Sequence, residues 1–486
     1  MNIDVNKKPS WLVSLIPFVV LTLVLGLVIY VFGTDALSGA SQVALLFAAG
    51  FTVVLAMVLY RIPWKVFEDA ILDNITSVGT SIVILLLIGA VSGSWMLSGV
   101  VPTMIYYGMK VIFPEIFLFA SCVICALIAV MTGSSWTTIA TIGVALVGIG
   151  TAQGYEPGWI AGAIISGAYF GDKISPLSDT TVLASSSAGT PLFTHIKFMM
   201  VTTVPSFAIS LIIFLVASLL HDQPASTQVA DFASNLKSTF NISPWLLLVP
   251  VLTGILIARK VSAIATLFIA AVIAGIAALI FQPHVIGIIA NPELGASASG
   301  LSFVDGFKGL SIMYYGSTAV DTGNEALNSL VSTRGMTGML STVFLIIAAS
   351  CFGGTLMGSG MLHSLTDALV KFVRRRVAMV ASTVGTGIFA NMITGDQYLS
   401  ILLTSSLYKK LYKDRGYESR LLSRSVEDSA TVVSVLIPWN SCGMTQATVL
   451  KVTTLHYLPY CLFNLISPLM SIFIAAIGYK IVRKSK

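Results

Sequence analysis

The segment SGAYFGDKISPLSDTTVLA at 166–184 sets Asp172, Lys173 and Asp179, with Gly171 and Pro176, inside a long apolar stretch. A charged side chain at bilayer depth costs about 2.5–3.5 kcal/mol on insertion scales, so a run with three of them does not face lipid. Pro176 breaks a helix there, and a broken helix presents free N–H groups at one new end and free C=O groups at the other. Carbonyl ends and nearby carboxylates suit a small hard cation, whereas N-terminal ends suit anions. The oxygen-bearing candidates in this half are Thr132, Ser134, Ser135, Asp172, Ser175, Ser178, Asp179, Thr180 and Thr181. Those in the second half are Thr394, Asp396, Gln397, Glu427, Asp428, Asn440 and Ser441. None of these side chains offers sulfur or imidazole, which points to an alkali cation rather than a transition metal. Asp172 and Asp179 are the expected Na+ ligands. A carboxylate so placed also takes a proton, and competition between Na+ and H+ for it is sufficient for exchange. The competing reading is that these carboxylates cap helix breaks or pair with Lys173. Glu427, close to Arg424 and a basic loop, falls under that second reading.

The elements that must position these groups are membrane helices. The chain is 56% hydrophobic and 10% charged, where a soluble domain has about 25% charged residues. Apolar runs at 11–33, 41–60, 79–101, 115–131, 199–220, 261–281, 338–357, 377–394 and 457–482 each approach the ~20 residues that cross a bilayer. The first is too long for the core of a signal peptide and reads as a span. All five cysteines sit in apolar segments and read as small buried thiols. The scattered histidines (195, 221, 284, 363 and 456) are expected near span ends rather than on a metal. Polar amphipathic stretches at 62–78 and 311–335 read as interfacial helices. Trp136 and Trp439 flank the breaks as packing residues that also shape a pocket.

With the N-terminus placed inside, 21 of the 27 lysines and arginines fall on cytoplasmic loops, which orients both termini to the cytoplasm. TGSSW at 132–136 is echoed by TGDQY at 394–398, and SPLSD at 175–179 by IPWNS at 437–441, both at a spacing of 262. GSWMLSG at 93–99 is echoed by GTLMGSG at 354–360 at a spacing of 261. The charge assignment makes equivalent elements run in opposite senses. The expected architecture is therefore an all-α polytopic membrane protein of about 10–12 membrane segments. It consists of two inverted-topology repeats, 1–243 and 244–486, each with a re-entrant hairpin and a broken helix.

The GDK–SPLSDTT stretch, the TGSSW turn some forty residues before it, ITGDQY (393–398), RSVEDSATVVSVLIPWN (424–440) and CGMTQATVL (442–450) resemble the NhaC-type Na+/H+ antiporter family. The resemblance runs across nearly the whole chain. It implies secondary active transport in a bacterial inner membrane, with Na+ and H+ as transported ions and no cofactor. The same family includes carriers of organic acids such as malate and lactate. A Na+/H+-coupled exchanger of a small organic acid or amino acid is therefore the alternative, with Lys173 and the hydroxyl-rich turns receiving a carboxylate. The expected partners are the lipid bilayer and the transported ions, with a homodimer as the assembly and no nucleic acid. No HExxH, GxSxG or Ser–His pairing supports an enzyme.

Overall fold

A computed structural model describes residues 9–32, 39–221, 226–259, 261–291, 301–365 and 375–481. Several basic residues used to orient the chain (Lys7, Lys8, Lys260, residues 371–374 and the end of the tail) lie outside these. The described residues are helical, with a single bridge, Thr318 to Thr333, as their extended pairing. Among them, eight helices are long and apolar enough to cross a membrane, or up to eleven when each bent pair is taken as one span.

The chain opens with α1 (Trp11–Phe32), α2 (Ala40–Tyr60) and the amphipathic α3 (Trp64–Ser77). The stretch expected as one span at 79–101 is divided into α4 (Gly79–Leu97) and α5 (Val100–Val111), bent by 65°. Gly99, at φ 81°, turns the backbone into the left-handed region that side chains avoid, which ends α4. A hairpin follows: α6 (Phe117–Thr132), then α7 (Ser135–Thr138), a π-turn at Ile139–Gly143 and α8 (Val144–Ala152). Its arms meet at their far ends, where a Cβ on Gly150 would stand 2.6 Å from the Phe117 ring. Next come α9 (Pro157–Ile174), α10 (Asp179–Ala188) and α11 (Leu192–Leu219), with the break at Pro176 falling between α9 and α10.

After α12 (Ser226–Thr239), α13 (Leu248–Ala258) and α14 (Ala263–Phe281) come α15 (Pro283–Ala290), α16 (Phe303–Tyr315) and α17 (Glu325–Val331). The amphipathic stretch read at 311–335 is thus the end of α16, a bridged loop and α17. Helix α18 (Leu340–Gly358) precedes a second hairpin, α19 (Arg376–Thr394) and α20 (Gln397–Asp414). Its arms run antiparallel: Tyr408 Oη meets Thr386 Oγ1 at 2.9 Å and Tyr412 Oη meets Thr383 Oγ1 at 3.0 Å. The second broken helix is α21 (Ser419–Val426) with a π-turn at Glu427–Thr431, continued after Pro438 by α22 (Ser441–Leu450). The closing span is bent by 58° between α23 (Thr454–Tyr457), extended by a 3-10 turn, and α24 (Leu462–Ile477).

The sequence spacing recurs in the backbone. Left-handed residues pair as Arg61 with Gly323, Gly99 with Gly360, Gly133 with Gly395, Gly154 with Gly416 and Gly189 with Lys451, all 261 or 262 apart.

Helix α9 reaches the first hairpin through bare backbone. A Cβ on Gly167 would stand 2.0 Å from the Cys122 carbonyl oxygen, and one on Gly171 2.3 Å from that of Ala126. Small residues four apart let two helices touch in this way. The contact carries Asp172 to the Gly133 turn.

Candidate functional site

At the first break, Asp172 is 6% exposed. Its Oδ2 accepts from the Ser135 backbone N–H at 3.0 Å and from the Ser135 hydroxyl at 2.7 Å. Ser135 is the first residue of α7, so the carboxylate faces free N–H groups at a helix start, where negative charge is favoured. The Ser178 hydroxyl stands beside the same carboxylate and caps α10. Ser175 donates to the Val130 carbonyl at 2.8 Å, and Thr181 donates back across the break to the Lys173 carbonyl at 2.9 Å. The hydroxyls of Thr132 and Ser134 brace the turn between the hairpin arms; Ser134 caps α7.

A cavity of about 550 Å³ opens at this break. Thr132, Ser134, Asp172, Ser178, Asp179 and Thr180 line it from the first half, and Gln397 and Tyr398 from the second. Asp179 is exposed to it at the start of α10. Asp172 and Asp179 are the carboxylates on its wall among the described residues. Trp136 and Tyr398, which close the two matching turn motifs, both line it, so the tryptophan read as shaping a pocket does so.

The second break is built alike with different chemistry. Asp396 caps α20, accepting from the Leu399 N–H at 3.0 Å and from the Ser441 hydroxyl at 3.3 Å. Thr394 donates to the Asp396 carbonyl at 2.9 Å. Gln397 Oε1 accepts from the Ser434 hydroxyl at 2.9 Å and the Cys442 thiol at 3.0 Å. Asn440 caps α22 and donates to Asn391 Oδ1 at 3.0 Å. Asp396, Asn440 and Ser441 are buried but do not line the acid cavity; Gln397 does.

Asp428 is elsewhere. It pairs with Lys173 from the other half of the chain, both side chains fully buried. Ser467 and Thr202 complete the junction, Thr202 donating to Asp428 Oδ1 at 3.1 Å and Lys173 donating to Ser467 at 3.0 Å. Arg424 Nε stands 3.8 Å from Asp428 Oδ2. The pairing with Lys173 foreseen for the carboxylates is therefore made by Asp428, not by its neighbour Asp172. Glu427 lies inside the protein, in the π-turn, with the Thr180 hydroxyl 3.4 Å away, and not beside a solvated loop. Arg424, the basic residue beside which the sequence sets Glu427, is itself buried. Sequence reading also missed Thr202 and Ser467. The hydroxyl stripe Thr202, Ser206, Ser210 at helical spacing was the available signal for Thr202.

His195 lies in the first turn of α11, at a span end as expected, but it is buried, its Nδ1 at 2.8 Å from Ser423 Oγ. No cluster of histidine, cysteine and acidic side chains able to hold a metal occurs among the described residues.

The model of the Na+/H+ antiporter family matches residues 8–189 and 167–479. The chain belongs to the Na+/H+ antiporter family. It is 36% identical over 86% of its length to the Na+/H+ antiporter NhaC of Bacillus subtilis, covering 88% of that protein. To NhaC of Alkalihalophilus pseudofirmus it is also 36% identical, over 86% of each chain. A malate-2H+/Na+-lactate antiporter of Bacillus subtilis is 33% identical over 85% of each chain.

Proposed function

We propose that this antiporter-family chain exchanges Na+ for H+ across the bacterial inner membrane, with Asp172 as the carboxylate for which the two ions compete. The observation that carries the reading is the pair Asp172 and Asp179 on the wall of a hydroxyl-rich cavity at a helix break, whose other described lining residues are uncharged. Asp179 attracts a cation at the mouth. Asp172, held by Ser135 through one oxygen, receives it deeper, with Ser178, Thr132 and Ser134 supplying neutral oxygens. Protonation of Asp172 removes the charge that holds Na+, so the site carries one ion or the other and no bond-making chemistry is needed.

Both termini are cytoplasmic in this reading, and residues 1–243 and 244–486 form inverted repeats, consistent with the five left-handed pairs at one spacing. The carrier assembles as a homodimer whose scaffold anchors the moving segments. A second reading, exchange of a small organic acid coupled to Na+ and H+, is favoured by the likeness to the malate–lactate antiporter. Purified protein in vesicles with an entrapped pH-sensitive dye separates the two. Proton movement on adding Na+ alone is the expected result. Flux that appears only after malate, lactate or an amino acid is supplied overturns the first reading in favour of the second.

A further inference from the structure

A second cavity, of about 520 Å³, lies farther along α4 from the acid cavity. Thr80 of α4 lines the acid cavity and Ser92 of α4 lines the other. From Ile84, which also lines the acid cavity, to Ser92 is eight residues of helix, or about 12 Å at 1.5 Å per residue. The charges on this wall are reversed. Arg334 and Lys451 line it, with hydroxyls from Ser92, Ser341, Thr342 and Thr453, and among the described lining residues there is no acid.

Two features indicate that this basic wall is built rather than incidental. Arg334 sits in a braced turn: Thr333 next to it exchanges both backbone hydrogen bonds with Thr318, at 2.8 and 2.9 Å, and Gly335 follows at φ 52°. A Cβ on Gly335 would stand 2.7 Å from the Tyr314 carbonyl oxygen, and one on Gly338 2.4 Å from the Arg334 Cβ. Gly338 thus leaves room for the arginine stem, and Gly335 lets the turn pack against the Tyr314–Gly316 backbone. Lys451 occupies a left-handed backbone position, φ 56°, where its counterpart in the first half is Gly189. Its ammonium donates to the Leu330 carbonyl at 3.1 Å and to the Ser332 carbonyl at 2.5 Å, which fixes it at the end of α17. The Arg334 guanidinium, within electrostatic reach of Lys451, makes no hydrogen bond or ion pair among the described residues.

We propose that this cavity binds a small oxyanion, held by the planar guanidinium of Arg334 in the field of Lys451. A guanidinium offers two parallel N–H donors that match a carboxylate or phosphate, and Lys451 keeps the site positive without being free to collapse onto it. The volume exceeds what a monatomic anion fills and falls within the range of small-molecule sites. The anion site is separate from the Asp172 site and does not depend on which ion the acid cavity carries.

The test uses the full chain in nanodiscs of zwitterionic lipid. Thermal unfolding is followed while malate, lactate or inorganic phosphate is titrated at constant ionic strength against chloride. At least one oxyanion should raise the unfolding temperature saturably. Arg334→Gln should weaken that binding at least about tenfold, a loss of ~1.4 kcal/mol. Arg334→Lys should fall between the two, and Asp172→Asn should leave anion binding as in the wild type while changing Na+ handling. An effect seen only when phosphatidylglycerol is built into the disc, and lost in Arg334→Gln, assigns the site to a lipid headgroup phosphate. Equal binding by wild type and Arg334→Gln, or no saturable effect from any free oxyanion or from phosphatidylglycerol, overturns the proposal. The unfolding temperature without anion shows whether each variant is folded.

Discussion

At corresponding places in the two broken helices, Asp172 meets Ser135 and Ser434 meets Gln397, the second pair standing at the common sequence spacing from the first. The geometry is shared: a side chain near the end of one helix arm grips the first residue after the hairpin turn. The charge is not. In the first half the contact is a carboxylate accepting from a backbone N–H and a hydroxyl; in the second it is a hydroxyl donating to an amide oxygen. One local geometry thus carries two different electrostatics. In the proposed reading the cation site lies where the carboxylate stands, and the neutral contact serves as a latch. Asp396 does not restore the balance, because its oxygens are spent on capping α20 and on Ser441.

The buried ion pair Lys173–Asp428 ties the two halves together and should show the largest effect on stability. Removing one member leaves an unpaired buried charge, so Asp428→Asn should lower stability by about 3–5 kcal/mol in thermal unfolding. The double variant Lys173→Met, Asp428→Leu should recover most of that loss; no recovery would mean that the contact is not a coupled pair. Next in size are the glycines of the two hairpin turns. Gly133→Ala adds a side chain to a left-handed residue, at about 1–2 kcal/mol, and its Cβ would meet the Leu177 backbone at 2.6 Å. Gly395→Ala has a similar backbone strain but meets the Ala349 Cβ instead. If the halves differ as argued, Gly133→Ala impairs exchange more than Gly395→Ala does when both are compared at equal folded fraction.

Much of this was legible in the sequence. Pro176 and Pro438, the Thr-Gly turns and the single spacing of 262 located both breaks and both hairpins, because helix breakers act locally. The bends at Gly99 and Cys461 were not, since apolar content alone does not reveal where a long run changes direction. The oxygen-rich residue set was found, but not its division of labour. Ser175, Thr181, Asn440 and Ser441 hold backbone or caps, whereas Asp172, Ser178 and Asp179 face open volume. Which carboxylate Lys173 chooses depends on α9 meeting the π-turn of the other half, and no local pattern encodes that.

Smaller effects separate the halves further. Asp179 is exposed at the cavity mouth, so Asp179→Asn should raise the Na+ concentration for half-maximal exchange by about tenfold, or ~1.4 kcal/mol, without loss of folding. Ser434→Ala removes one donor from the neutral latch and should lower stability by about 1 kcal/mol, with the Na+ dependence unchanged. A shift in Na+ dependence for Ser434→Ala would place the second break in the ion path.

The most direct test compares Asp172→Asn with Asp396→Asn in one vesicle assay of Na+-driven proton movement, after confirming that both variants are folded. Asp172→Asn should abolish exchange, while Asp396→Asn should retain it at a rate lowered only by its weakened helix cap. Exchange that survives in Asp172→Asn and vanishes in Asp396→Asn would contradict the assignment of the ion site to the first break.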